Sequence, residues 1–452
     1  MQKPAISKYF HMTKRERRIE LNQTLWLMPL RYILVAILLS GLSVMMDVFW
    51  DVHRYLPDTM VFTGEATRLL VTTLIGGVLT LSAFTINSLL VALTTLSGQF
   101  SSRMLLNFIS VPPTQHVMGI FNGTFIYVLL NILFLSNNGN EAYFIIPVGS
   151  VVVTFVAAIT FVYFVNHVST WLQVHNISSN MKSTTSRTIR TSLVEEIGKH
   201  RAEGEYIDKI TERKGPKTIY SGVSGHLQSV NFSKIVEEAC KDNIVIKLRA
   251  SIGQYILEDT PLFDYWEDGN NFREKKYKQL VRVDEKKTEI QDLEYGLEKL
   301  VEVSVKALGN NDPLTVNNTL YQITDLLKEI SRATSFSPIL VDSQNHVRLK
   351  LMHEDFDYFL FKSYGYIREY AGENSTVIIT ILEMLSLLAQ ATDNHEKIWE
   401  FAEETVKGFR EHTMYRSNGD YVLEHLYEVA RHTGQMEAYS NSQELLTPSI
   451  QY

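Results

Sequence analysis

The longest uncharged stretch of the chain runs from Leu69 to Ser102, between Arg68 and Arg103. As a single helix it would be about 51 Å long at ~1.5 Å per residue, which exceeds the ~30 Å hydrocarbon core of a bilayer. The pattern therefore predicts a transmembrane helix that projects into water at one end.

Polar side chains recur at every seventh position of this stretch, which places them along one slowly drifting face of the helix. We call this set the polar stripe; it consists of Thr73, Thr80, Asn87, Thr94 and Ser101. Hydroxyl and carboxamide groups are poorly satisfied against lipid alone, so the stripe is expected to contact protein or water. It is either a seam for close helix packing or the lining of a water-filled pore formed by several copies. The two interpretations overlap if the packing seam lies between subunits, because the same face of the helix then also lies close to a shared axis.

Three further apolar runs predict transmembrane helices. They cover approximately residues 25–48, 117–135 and 143–165. Basic residues precede the first run and favour a cytoplasmic N-terminus; they are Lys14, Arg15, Arg17 and Arg18. We therefore predict a basic cytoplasmic segment over residues 1–22 and a four-helix transmembrane domain over residues 23–175. An even number of spans puts both termini in the cytoplasm.

The rest of the chain has the charged composition of a soluble α+β domain. The pattern predicts a membrane-proximal helical linker over 176–214, a small β module over 215–268 and a mainly helical region over 269–452. The short, glycine-separated strands of the β module are similar to a barrel-sandwich module. The Met-Lys hairpin that carries biotin or lipoate in such modules is absent there. A docking or ligand-sensing role is therefore expected rather than a swinging arm.

Composition and motifs exclude several function classes. The net charge of −7 argues against nucleic acid as a partner, and the single cysteine, Cys240, excludes an intrachain disulfide and a cysteine-rich metal site. The sequence contains no Walker loop, GxGxxG, HExxH, CxxC or GxSxG motif. We therefore expect no catalytic residues, no metal, no cofactor and no enzymatic activity.

One polar cluster in the second half of the chain has two interpretations. Its members are Gln291, Asp292, Glu294, Asn311 and Asp312. Helix capping and hydrogen bonds between helices account for such residues, because Asp312 followed by Pro313 is a typical helix start. The same residues are also a weak candidate site for a small ligand or a divalent cation.

Two signatures resemble a large bacterial family of predicted membrane proteins of unknown function. The first combines the Gln-Phe-Ser-Ser-Arg run of residues 99–103 with Gly-Ile-Phe-Asn-Gly-Thr-Phe-Ile-Tyr at 119–127. The second combines Gln-Asp-Leu-Glu-Tyr-Gly-Leu at 291–297 with Gly-Asn-Asn-Asp-Pro at 309–313. The family usually has proline where Ser102 stands. The resemblance implies a four-span membrane region with a cytoplasmic domain, in the inner membrane of a bacterium, and it implies no activity.

The leading functional hypothesis is a homo-oligomeric channel for ions or small solutes, regulated by the cytoplasmic domain. Its expected lining is Thr73, Thr80, Asn87 and Thr94, with Gln99, Ser101 and Arg103 at the inner mouth. The charge preference is open, because a ring of Arg103 favours anions whereas the acidic outer connection favours cations. That connection contains Asp47, Asp51, Asp58 and Glu65. The expected partners are the lipid bilayer, further copies of the chain and a small solute. The alternative is a membrane-anchored sensor or scaffold whose cytoplasmic domain binds a ligand or partner.

Overall fold

The chain divides into two compact units in the computed structural model. They are Met1–Gln173, here called the membrane unit, and Val174–Tyr452, the second unit. The structure describes residues 27–98, 112–135, 142–171, 173–202, 215–267, 273–285, 287, 293–334, 336–352, 354–372, 374–409 and 416–446.

The described residues of the membrane unit form four long helices, each long and apolar enough to cross a bilayer. They are α1 Leu27–Val44, α2 Gly64–Ser97, α3 Pro112–Leu133 and α4 Ile145–Trp171. A π-helical turn, Met45–Phe49, continues α1. The prediction of four helices long and apolar enough to span a membrane is confirmed. Long runs without charged side chains satisfy their backbone groups only as helices at membrane depth.

A two-stranded ribbon and a buried carboxylate organise one end of this bundle, which we call the ribbon end. Strand β1, Phe62–Thr63, pairs antiparallel with β2, Ala142–Tyr143. The Asp47 carboxylate accepts the backbone N–H groups of Ile145 at 3.0 Å and Ile146 at 2.7 Å. Asp47 is 2% exposed and caps the N-terminus of α4. A carboxylate there satisfies unpaired donors and complements the helix dipole. The sequence places Asp47 in the exposed acidic outer connection. This expectation is wrong, because the side chain of Asp47 is buried.

Two glycines bring α1 and α3 into close contact. A Cβ atom on Gly119 would overlap the Tyr32 ring, and one on Gly123 would lie 3.2 Å from the Tyr32 carbonyl oxygen. The Tyr32 hydroxyl also lies 2.9 Å from Nδ1 of His116. This spacing of four between small residues is typical of close helix pairs in membranes. It gives the glycines of the 119–127 signature a physical role.

The second unit contains eleven further α-helices within its described residues. They are α5 Val174–Thr188, α6 Phe232–Lys241, α7 Glu274–Lys278, α8 Leu293–Gly309, α9 Pro313–Ala333, α10 Phe356–Leu360, α11 Tyr366–Ala371, α12 Ser375–Ala391, α13 His395–Phe409, α14 Arg416–Thr433 and α15 Met436–Leu446. A π-helical turn, Phe361–Gly365, joins α10 to α11. Helices predominate among the described residues of the region 269–452, which the sequence predicts to be mainly helical.

The described residues of this unit also form two small sheets. Their strands are β3 Lys217–Tyr220, β4 Gly225–Val230, β5 Ile244–Leu248, β6 Tyr255–Ile256, β7 Pro261–Glu267, β8 Val281–Asp284, β9 Ile339–Val341 and β10 Val347–Lys350. The first sheet has the order β3-β7-β5-β10-β9, with β10 parallel to β5, and the second has the order β6-β4-β8.

The sheets change the expectation for the β module. The predicted strands form, but the hairpin β9–β10 extends the first sheet from far along the chain, and β8 extends the second. Helix α6 lies between β4 and β5 in sequence and buries Phe232, Ile235 and Val236. The barrel-sandwich detail is therefore not confirmed, because the β region is not a self-contained module of residues 215–268.

Candidate functional site on the second membrane helix

One face of α2 packs into its own bundle. Val71 and Val78 are 0% exposed, and Thr85, Leu89 and Ala92 are buried as well. The spacing Val71, Val78, Thr85, Ala92 is a seven-residue repeat, so this face runs the length of the helix. It contacts apolar cores that also contain residues of α3 and α4.

The polar stripe lies on the opposite face. Thr73, Thr80, Asn87 and Thr94 each follow a packing position by two residues, which is a rotation of about 200° around the helix. All four side chains are exposed. Within a single copy, the described part of the stripe is therefore not a helix-packing seam.

The threonines of the stripe satisfy their hydroxyl donors within α2. The hydroxyl of Thr73 donates to the carbonyl of Leu69 at 2.8 Å, and that of Thr80 donates to Gly76 at 2.9 Å. Thr94 donates in the same way to the carbonyl of the residue four positions earlier. Each hydroxyl oxygen still has lone pairs for an outside donor or cation. These threonines are compatible with lipid, protein or water.

Asn87 differs from the threonines. Its carboxamide has two donors and an acceptor, and it has no hydrogen-bond partner among the described residues. Small residues flank it along the same face: Gly76, which has no atom within 4 Å of an added Cβ, and the exposed Ala83. Alternating steps of three and four between such residues are typical of helices that meet other helices closely.

The expected inner mouth of the pore lies outside the described residues. This applies to Gln99, Ser101 and Arg103, and also to the basic segment of residues 1–22.

The structure separates the members of the polar cluster in the second unit. Glu294 lies in the first turn of α8, whereas Asn311 and Asp312 follow its end, about 24 Å away at ~1.5 Å per residue. Asp312 caps α9 by accepting the backbone N–H of Thr315 at 3.1 Å. Asn311 has a left-handed backbone with φ of 55°. Gln291 and Asp292 lie outside the described residues.

Glu294 instead belongs to a different charged cluster, which sequence reasoning missed. Its carboxylate accepts the Tyr358 hydroxyl at 2.7 Å and pairs with Lys362 at 2.6 Å. Burial opposes ionisation here, but the hydrogen bonds from Lys362 and Tyr358 outweigh it and lower the pKa of Glu294. Nearby, burial raises the pKa of the Glu354 carboxyl, against a hydrogen bond with Ser251 that lowers it. These residues are too far apart in sequence for a local pattern to group them.

The opposite pKa shifts predict opposite effects of two matched substitutions. Because the folded-state pKa of Glu354 is raised, its ionisation costs stability as pH rises, so Glu354→Gln should raise the melting temperature at pH 8 more than at pH 4.5. The folded-state pKa of Glu294 is lowered below its ordinary value of 4.5, so its ionisation stabilises the fold above that pH and the contribution is lost only as the pH falls further. Glu294→Gln should therefore destabilise at pH 8, by about 1–3 kcal/mol for an unpaired buried partner, and less at about pH 3. Thermal unfolding of the purified chain at all three pH values checks this. Equal responses of the two variants would contradict it.

Comparison with known proteins places this arrangement in a family. The model of the DUF2254 family, described as predicted membrane protein, matches residues 22–386. Uncharacterized proteins of Mycobacterium tuberculosis (strain H37Rv) and Mycobacterium bovis are each 25% identical to this chain over 312 residues. The match covers 65% of this chain but only 58% of each relative. No solved structure matches the chain.

The family match spans the four membrane helices and most of the second unit. It also includes both signatures, the glycines that pack α3 against α1 and the Glu294 that pairs with Lys362. The chain therefore belongs to the DUF2254 family of predicted membrane proteins.

Proposed function

We propose that the chain forms a homo-oligomeric membrane channel for ions or small solutes, with the polar stripe of α2 along its pathway. The observation that carries this proposal is the exposed carboxamide of Asn87, which has no partner among the described residues, on the face of α2 opposite its packing face.

The first step of the argument concerns lipid. An unpaired amide in hydrocarbon costs several kcal/mol relative to water, on the order of 4–8 in fully apolar solvents. Polar residues of membrane helices therefore face the protein interior or a water-filled cavity. The α2 stripe turns away from the described helices of its own bundle, so on our proposal a neighbouring molecule or water supplies that environment. A ring of identical chains is the simplest source, because closed symmetry repeats one interface.

The second step concerns what the stripe offers at a shared axis. The Thr73, Thr80 and Thr94 hydroxyls already donate to carbonyls of α2, so they present oxygen lone pairs outward. Rings of such oxygens replace part of an ion's hydration shell. Asn87 adds both donors and an acceptor, so the lining suits hydrated ions or small polar solutes.

The acidic outer connection contributes less to charge selectivity than the sequence suggests. Asp47 is buried as the cap of α4, and Asp51 pairs with Arg54 at 2.8 Å. Both charges are thus compensated within the chain. On our proposal, selectivity comes mainly from the stripe and from Arg103 at the inner mouth, with both termini in the cytoplasm of a bacterial cell and the second unit as regulator.

The test combines subunit counting with transport. Native mass spectrometry of the detergent-purified chain should give a closed oligomer, and reconstituted liposomes should release a trapped small ion faster than empty liposomes. Cryo-electron microscopy of the same particle should place residue 87 at the symmetry axis. A monomeric particle without flux would refute the proposal.

A second candidate is a membrane-anchored sensor or scaffold. It is favoured by the internal hydrogen bonds of the three threonines, because a hydroxyl satisfied by its own helix tolerates contact with lipid. In that case an oligomer or monomer would be purified, flux would be absent, and the function would reside in the second unit.

A further inference from the structure

The core of the membrane unit contains a polar layer near its ribbon end. On α1, Ser40 donates to Oδ1 of Asn131 on α3 at 2.7 Å. One turn further, Ser43 lies 2.8 Å from the Tyr127 hydroxyl and donates to the carbonyl of Leu39. The Tyr127 hydroxyl is therefore the donor to Ser43. All four side chains of this layer are buried.

Several buried polar groups of the membrane unit have no protein partner among the described residues. Three of them, at this end of the bundle, belong to residues that are 0% exposed: Nδ2 of Asn131, Oγ of Ser150 and Oγ1 of Thr67. Buried polar atoms in native proteins are almost always hydrogen-bonded to protein or to ordered water, so three orphans in one core call for an explanation.

The orphan groups belong to the same packed region as the α1–α3 layer. A Cβ on Gly149 would overlap the Tyr127 hydroxyl, so the turn of α4 that carries Ser150 lies against Tyr127. Ile146 and Val153, which flank Ser150 on the same face of α4, pack in the cluster that contains Tyr127. Thr67 precedes Val71 by one turn of α2, and Val71 belongs to that cluster too. Every helix of the bundle thus contributes a polar side chain.

We infer that this layer binds ordered water inside each protomer, with Asn131, Ser150 and Thr67 as the ligating side chains. The chemistry of the groups selects the ligand. The unpaired atom of Asn131 is its N–H donor group, while its oxygen already accepts from Ser40, and donors disfavour a cation. Ser150 and Thr67 each both donate and accept. Water matches this mixture, since a buried water makes two to four hydrogen bonds of both kinds.

Neighbouring charge does not favour an ion. The Asp47 carboxylate, in the π-helical turn that follows α1, already accepts the backbone N–H groups of residues 144–146 at the start of α4. Its charge is offset by the positive end of that helix. The named members of the layer are all neutral. The inference is independent of the proposed channel, because the layer faces the protomer core and not the polar stripe.

Solid-state NMR of the full chain in lipid bilayers tests the inference, by measuring magnetisation transfer from water to labelled threonine and asparagine side chains. Thr85 is the matched control: it lies on the same packing face of α2 and is 1% exposed, but its hydroxyl donates to the carbonyl of Leu81. Signals are assigned with Thr67→Val, Thr85→Val and Asn131→Leu. Transfer to Thr67 and Asn131 should be several-fold faster than transfer to Thr85. Equal, slow transfer to all three would overturn the inference.

Thermal unfolding gives a second measurement. The direction in which Ser150→Ala changes the melting temperature shows whether Ser150 binds water or is dry. If Ser150 binds water, Ser150→Ala removes a satisfied hydrogen bond and should lower the melting temperature. If Ser150 is dry, the same change removes an unsatisfied buried hydroxyl and the melting temperature stays constant or rises. Either of those results would count against the water site.

Discussion

Asn87→Leu should reduce ion flux through reconstituted protein by at least tenfold while leaving the oligomer intact. The substitution replaces a ring of carboxamides by a ring of isobutyl groups, and hydrophobic constrictions close pores by excluding water. An added barrier of only about 1.4 kcal/mol slows a rate tenfold. Flux from liposomes or single-channel recording measures the effect, at protein densities matched by immunoblot.

Ile86→Leu is the control for this experiment. Ile86 is also exposed, but it points about 100° away from Asn87 around the helix, so its replacement should leave flux unchanged. Thr80→Val, one heptad from Asn87, should reduce flux to a lesser degree because it removes only hydroxyl oxygens. If Asn87→Leu and Thr80→Val leave the protein more stable and any flux unaltered, the stripe is a dry seam between subunits or faces lipid, and the channel proposal fails.

Gly123→Leu should prevent the membrane unit from folding or lower its melting temperature strongly. A Cβ at this position would lie 3.2 Å from the Tyr32 carbonyl oxygen and 3.4 Å from its Cβ. Backbone atoms cannot rotate away as a side chain does, so α1 would have to move off α3. Overpacking a core typically costs about 1–3 kcal/mol, and here the displaced element is a whole helix. The yield of monodisperse protein and thermal unfolding in detergent check the result.

Gly41→Leu provides the matched comparison. Gly41 lies in α1, is exposed, and has no atom within 4 Å of an added Cβ. The substitution adds the same volume to a membrane helix without a clash, so it should preserve yield and stability. Similar losses in the two variants would show that glycine flexibility, and not close packing against Tyr32, governs these positions.

Some elements follow from local patterns and others do not. The start of α9 was predictable, because Asp312 followed by Pro313 caps a helix through contacts only three residues apart. Helix α6 carries a similar local signal, Asn231 as its cap followed by apolar residues at helical spacing. The β module predicted for residues 215–268 nevertheless contains only strands at this position. The order of strands in the first sheet is harder to predict from the sequence. Strand β10 pairs in parallel with β5, although it lies about a hundred residues further along the chain.

The candidate sites show the same division. The seven-residue recurrence of Thr73, Thr80 and Asn87 is a property of the sequence alone. The pairing of Glu294 with Lys362, and the burial of Asp47 beneath α4, depend on residues distant along the chain. No periodicity within a single element carries that information.

The amino-acid sequence by itself determined that four segments are long and apolar enough to cross a membrane and that one of them carries a continuous polar face. Both conclusions rest on local transfer free energies and on the pitch of a single helix. The tertiary structure decided which face of α2 is covered, because Val71, Val78, Thr85 and Ala92 repeat with the same period as the polar stripe. The packing positions and the polar stripe both repeat every seven residues, so the period alone does not show which of the two faces is buried. That depends on the helices that pack against α2, which only the rest of the fold supplies.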